Sequence, residues 1–195
     1  MNIAKVVIVY HSGYGHTARQ ANAVLQGVKS VAGVDVLLVE ASAENFPWSD
    51  LEDADAIIFG CPTYMGGPSA VFKAFQEATS KTVFAAGFKW KDKFAAGFTN
   101  SAARSGDKLA TLQQFAIFAA QHGMHWINLG LPPGNNSSAG SEQDLNRLGV
   151  FMGAAAQSNA DQSAEIAPPE SDLLTAQHLG NRVATVVLQY VHGRR

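Results

Sequence analysis

The sequence predicts an α/β sandwich in which a five-stranded parallel sheet, ordered 2-1-3-4-5, carries helices on both faces. Three observations predict it. Short apolar runs recur without alternation, as strands buried on both faces require. Segments with apolar residues at helical spacing separate these runs. The two kinds of segment alternate along the chain, which means right-handed crossovers between parallel strands, and five such strands suit the doubly wound order.

Residues 3–10 form the first strand, with Val6, Val7, Ile8 and Val9 in succession. Residues 17–32 read as a helix, because Ala18, Ala21, Val24, Leu25 and Val28 fall on one face. The second strand is 34–39 and the third, apolar throughout, is 55–60. Pro68 in a first turn opens a helix that buries Val71, Phe72 and Phe75. The fourth strand is 94–99. A helix over 107–121 turns Leu109, Leu112, Phe115, Ala116 and Ala119 inward. The fifth strand is 125–131. The last helix, 169–192, has Leu173, Leu179, Val183, Val186, Val187 and Tyr190 on its apolar side.

Residues 132–168 break the pattern, being rich in Gly, Ser, Asn, Gln and Ala. An irregular stretch that long inside a compact domain tends to be functional or mobile. It reads as an excursion of one domain spanning 1–195, placed near the active site or at a subunit contact.

Composition narrows the function classes. The chain has 195 residues, 47% apolar and 15% charged, which is ample for a core. A net charge of -2 argues against nucleic acid or an anionic membrane as partner. No apolar run reaches the roughly 18–20 residues of a membrane span, and the first residues read directly into a strand, so no signal peptide is expected. Cys61 is the only cysteine, which excludes an internal disulfide and a cysteine-based metal site, and no metal is expected. A cytoplasmic location is the simplest expectation.

In open α/β sheets, ligands bind beyond the carboxyl ends of the strands, where the strand order reverses. After the first strand come His11, Ser12, Gly13, Tyr14, Gly15, His16 and Thr17. The two glycines let backbone amides approach an anion, Ser12 and Thr17 add hydroxyls, and the following helix aims its positive end at the loop. With no Lys or Arg in the segment, a phosphate monoester among neutral donors fits better than a triphosphate. Neither a Walker A sequence nor Gly-x-Gly-x-x-Gly is present. A plain turn with Ser12 and Thr17 as caps remains the simpler alternative for this loop taken alone.

After the third strand come Cys61, Pro62, Thr63, Tyr64, Met65, Gly66 and Gly67, a stiff loop able to press amides and Tyr64 against a flat heterocycle. Cys61 reads as a small packing residue, since no base or cation adjoins it. After the fourth strand, Thr99, Asn100, Ser101 and Ala102 form a third hydrogen-bonding loop, or an ordinary approach to a helix capped by Ser105. His122 reads equally as a site residue or as a histidine favoured by a helix C-terminus.

The runs 10–17 and 56–66, with His122-Gly123-Met124 and the closing helix, resemble the flavodoxin superfamily and within it the WrbA-type NAD(P)H:quinone oxidoreductases. The resemblance implies the flavodoxin-like fold and non-covalent FMN. It also implies an enzyme that passes hydride from NADH or NADPH through flavin N5 to a quinone-like acceptor. It implies that Ser12, Gly13, Tyr14, Gly15, His16 and Thr17 bind the phosphate. Pro62, Thr63, Tyr64, Met65 and Gly66 would line the ring, and Thr99, Asn100, Ser101 and Ala102 the ribityl chain and ring edge. His122 would approach this site or a neighbouring subunit's, in a homodimer or homotetramer. Phe84 or Trp90 would correspond to a flanking aromatic, and Trp48, Met124 and Trp126 are further candidates to shape an open pocket, although each aromatic taken singly reads more readily as a core or edge residue. The chain departs from the family at Tyr64, where an Arg is common, and at residues 104–108, where a Gly-Gly-Gln-Glu run is replaced.

The alternatives are a one-electron-carrier flavodoxin, a flavin, nitro or azo reductase of the same fold, and a non-catalytic domain. Net charge and the long excursion speak against the carrier, which is usually strongly acidic. A receiver domain and a low-molecular-weight phosphatase are excluded, by the absence of an aspartate ending the third strand and of a Cys-x5-Arg loop.

Overall fold

The computed structural model describes residues 3–193. Strand β1 (Ala4–Tyr10) pairs in parallel with β2 (Val34–Glu40) on one side and β3 (Ala56–Tyr64) on the other. β3 pairs in parallel with β5 (Phe94–Ser101), and its end turns back through the two-residue β4 (Gly67–Pro68). Helices α1 (His16–Lys29) and α5 (Glu170–Gly193) cover one face. Helices α3 (Ala70–Thr79) and α4 (Lys108–Gln121) cover the other. The short α2 (Trp48–Asp53) and a π-helical turn at Ser80–Phe84 complete the chain's helices among the described residues.

The lack of alternation in the strands follows from this two-sided cover. Val6, Ile8, Ile58 and Phe98 pack under α1 and α5, while Val7, Val9, Ile57 and Phe59 pack under α3 and α4. Every second side chain enters the opposite core, so every position must be apolar. Helices α1 and α5 meet backbone to backbone. A Cβ at Gly27 would lie 1.9 Å from the Gln177 carbonyl oxygen, and one at Gly180 would lie 2.1 Å from that of Val24. Cys61 is fully buried, and burial pushes its thiol up to about 12.

The flavodoxin-like order expected from the sequence is present as β2-β1-β3-β5, but the fifth position is split between two segments. β6 (His125–Trp126) pairs only with Phe94 and Ala95. β7 (Ala154–Gln157) pairs with Phe98 to Ser101. The expected strand 125–131 therefore stops after two residues. Gly130 takes a φ of 67°, and Pro132 and Pro133 carry no amide to continue a ladder. Residues 127–153 leave the sheet edge, and the chain returns to finish the strand. A Cβ at Gly153 would fall 2.1 Å from the Gly97 carbonyl oxygen, so glycine is what lets the returning segment dock.

Other expectations are corrected in detail. Pro68 does not open α3; it pairs with Thr63 in β4, and Ser69 precedes the helix. Val71 and Leu109 face outward, while Phe72, Phe75, Leu112 and Phe115 are buried. Among the described residues no helix is long and apolar enough to cross a membrane, and no group of three or more His, Cys, Asp or Glu is placed to hold a metal ion.

Candidate functional site

A cleft of about 620 Å³ opens at the carboxyl ends of β1, β3 and β5. That size is ordinary for a small-molecule or cofactor site. The first loop contributes Ser12, Gly13, Tyr14, His16 and Thr17. The second contributes Pro62 and Tyr64, and the third Asn100, Ser101 and Ala102. Residues 158–162, just beyond β7, contribute Ser158, Ala160 and Gln162.

Gly15 caps α1 with a φ of 87°, and the first helical bond runs from the Arg19 amide to its carbonyl at 3.0 Å. The amides of the first turn thus have no helical acceptor and could receive an anion, with the dipole behind them. Gly13 allows a close approach: a Cβ there would lie 2.5 Å from the Tyr64 hydroxyl. Tyr64 leans over the first loop, edge-on to Tyr14 with ring centroids 6.4 Å apart. Burial holds the Tyr64 hydroxyl above its ordinary pKa, so it stays neutral.

Among the described residues, two buried polar atoms at the cleft have no hydrogen-bond partner, Ser12 Oγ and Asn100 Oδ1. A buried polar atom without a partner costs free energy unless a ligand or water supplies one. Asn100 is oriented by its Nδ2, which donates to Ser158 Oγ at 2.8 Å. Among the described residues, no Lys or Arg lines the cleft. A phosphate would be held here by hydroxyls, amides and the α1 dipole. A flat ring with polar edges would meet Asn100. The donor set therefore fits FMN, the group the resemblance implies.

The structure separates the expected site residues. Gly15 shapes the first loop by its backbone. Thr63 and Thr99 lie beneath the cleft in a closed chain: Thr63 Oγ1 is 2.7 Å from Thr111 Oγ1 and 2.8 Å from Thr99 Oγ1, and Thr99 Oγ1 donates to the Cys61 carbonyl at 2.7 Å. They support the floor and do not line it. Met65 and Gly66, at φ of 49° and 83°, form an exposed loop tip outside the cleft.

His122 is not part of this cleft. It follows the last residue of α4, the end remote from Ala102, and a helix of 14 residues is about 21 Å long. It is 3% exposed and packs against Trp90 and Phe118, each with ring centroids 4.9 Å away. Trp90, 1% exposed, is a core residue. Phe84 packs edge-on with Phe88, Trp48 stacks on Phe75 and tilts against Phe46, and Met124 is buried. Trp126 donates to the Met152 carbonyl at 3.0 Å. None of these aromatics reaches the cleft, and Tyr14 and Tyr64 take that place.

His122 has a consequence for stability. Thr79 Oγ1 donates to the Gln76 carbonyl at 2.6 Å, so it accepts from His122 Nε2 at 2.9 Å, and the buried Nδ1 is the unprotonated nitrogen with no partner. Burial lowers the His122 pKa below 6.5. As pH falls below 6.5 the unfolded chain takes up a proton that the folded chain refuses, so stability falls until the lowered folded value is passed. His11, also lowered by burial, acts in the same direction. The urea midpoint should drop between pH 7.5 and 5.5, and His122→Gln should reduce that drop.

The sequence placed the excursion 132–168 near the active site or at a subunit contact but singled out none of residues 158–164. They cross the mouth of the first loop as a strap. His16 Nε2 donates to the Gln162 carbonyl at 2.8 Å, and Arg19 Nη1 to that of Ala164 at 3.0 Å. His16 is thus committed to the strap by one nitrogen while its side chain borders the cleft. A polar, alanine-rich segment gives no periodic signal, and only its unusual length marked it.

Comparisons with known proteins agree with this fold. The family model of NADPH-dependent FMN reductases matches residues 48–135. "Flavodoxin FldP" of Pseudomonas aeruginosa is 44% identical over 188 residues, covering 94% of this chain and 97% of that protein. An NAD(P)H dehydrogenase (quinone) of Geotalea uraniireducens is 31% identical over 210 residues, covering 93% of this chain and 97% of that one. The crystal structure of a flavodoxin, WrbA-like protein from Agrobacterium tumefaciens superposes with a TM-score of 0.74 at 42% identity, covering 95% of this chain and 98% of that one.

Proposed function

Because the chain belongs to the WrbA-type, flavodoxin-like family of oxidoreductases, we propose that it is an FMN-dependent NAD(P)H:quinone-type oxidoreductase. It takes two electrons from NADH or NADPH and delivers them to a quinone-like acceptor. The observation that carries the reading is the buried, unpartnered Ser12 Oγ in a cleft at the α1 N-terminus. Bound FMN supplies the two-electron redox chemistry.

The chain's own residues do the holding and shaping. Ser12, Thr17 and the amides at the start of α1 receive the phosphate. Asn100 offers Oδ1 as acceptor to the ring or ribityl chain, its orientation set by Ser158. Ser101 and Ala102 border the ring edge. Tyr14 and Tyr64, 79% and 40% exposed, frame a mouth wide enough for donor and acceptor to occupy in turn. The strap of residues 158–164 excludes water from the phosphate end.

A second reading, a one-electron carrier, is favoured by the 44% identical relative named as a flavodoxin. One set of measurements separates them. The purified protein should be yellow, or quench added FMN, and should turn over benzoquinone with NADH or NADPH with no second protein present. Bound flavin that neither nicotinamide reduces, yet that a separate reductase protein does, would establish the carrier instead.

A further inference from the structure

Lys108 is the first residue of α4 and 1% exposed. Its ammonium sits at the positive end of a helix dipole, in a buried position, and both circumstances are unfavourable to it. It is held by three successive carbonyls, donating to Ala103 at 2.6 Å, to Arg104 at 2.9 Å and to Ser105 at 3.4 Å. Those three residues belong to an exposed loop. Water would satisfy the carbonyls of an exposed loop without help. What the ammonium adds is direction.

In a trans peptide the carbonyl and the next residue's amide point opposite ways. With the carbonyls of residues 103–105 drawn down onto Lys108, the amides of Arg104, Ser105 and Gly106 point away from it. Gly106 and Asp107, both at a φ of 53°, reverse the chain so that the loop folds back over the side chain. The loop continues directly from Ser101 and Ala102, which line the cleft. This is also the stretch where the chain departs from the family's Gly-Gly-Gln-Glu run.

We propose that Lys108 is a positioning residue for the flavin: it gathers three loop carbonyls beneath the chain and so turns the amides of residues 104–106 toward the polar edge of the redox ring. The inference rests on the reading of the cleft as the FMN site. The amides are fixed donors to ring oxygens, and they gain most when the ring becomes electron-rich on reduction. The charge is sensitive to pH. Burial lowers the Lys108 pKa to about 8, with Asp172 of α5 opposing and Arg147 adding to the shift. The nearby Arg104 and Glu142 are paired with each other at the surface.

The test uses apo-protein titrated with FMN and with riboflavin, read by fluorescence quenching. In the unaltered protein the affinity for both should fall about fivefold from pH 7 to pH 9, as the ammonium is lost and flavin binding is linked to its proton. Lys108→Met should bind both about tenfold more weakly at pH 7, the loss of one charge-directed contact, with no further change up to pH 9. The reduction potential of its bound flavin should be more negative. Equal affinities in Lys108→Met and unaltered protein, with the same pH profile, would overturn the proposal. If the variant does not fold, a pH-independent affinity in the unaltered protein overturns it alone. Failure of the unaltered protein to bind any flavin would instead refute the site reading.

Discussion

Asp172→Ala is expected to cost about 3–5 kcal/mol of folding stability, the usual result of removing one partner of a buried ion pair. The side chains of Asp172 and Arg147 are 2% and 4% exposed. The pairing is a two-point fork: Arg147 Nε donates to Oδ1 and Nη2 to Oδ2, both at 2.8 Å. Oδ2 also accepts the Gln157 amide at 2.9 Å. Without the carboxylate, a guanidinium stays buried with Glu142, at 2.7 Å and half in solvent, and the neutral Gln157 Oε1, at 3.4 Å, to answer it. Replacing both partners, as Arg147→Met with Asp172→Leu, should recover much of the loss, because no uncompensated charge remains. Urea unfolding of the three proteins decides it, and a double variant as unstable as Asp172→Ala would show that the charge is not the cause.

The same substitution should reach the cofactor. Gln157 ends β7 and immediately precedes Ser158, which orients Asn100. Its side chain also donates to the Ala102 carbonyl at 2.9 Å. Asp172 therefore ties the returning half of the split strand to two loops of the cleft. FMN affinity in Asp172→Ala should fall along with stability, under conditions where the variant remains folded.

Ser12→Ala combined with Thr17→Val should weaken FMN by roughly 3–6 kcal/mol, about 10²–10⁴-fold, at about 1.5–3 kcal/mol for each donor lost to a charged group. Riboflavin, which has no phosphate, should bind the double variant nearly as it binds the unaltered protein. The contrast is the point of the experiment. Thr17 is 2% exposed, and Ser12 Oγ is buried without a partner among the described residues, so removing the Ser12 hydroxyl breaks no hydrogen bond of the fold. Equal weakening of both flavins would place the phosphate away from these residues.

Much of the fold was legible because burial on two faces leaves a plain trace. The runs at Val6–Val9 and Ala56–Phe59 have nowhere polar to point, and the alternating helices follow. The three loops that border the cleft were legible because glycine, hydroxyl and proline residues cluster where strands end in tight turns. β7 was not legible. Its Ala-Ala-Ala-Gln has little strand preference, and it pairs only because a strand edge stands open beside Phe98 to Ser101. Leu109 and Val71 show a related failure: apolar spacing marks a face, and surface leucines and valines widen it falsely.

The chain order of strands and helices, the glycine- and hydroxyl-rich turn of residues 12–17 at the end of β1 and the packing role of Cys61 were determined by the sequence itself, since each depends on residues adjacent in the chain. The split fifth strand, the strap over residues 12–17, the demotion of Thr63 and Thr99 to supports and the removal of His122 and Trp90 to the core were decided only by the tertiary structure. In each of these the deciding contact joins residues far apart in sequence, as His16 with Gln162 or Arg147 with Asp172. Local pattern records what a residue prefers, whereas only the folded chain determines which distant group will meet it.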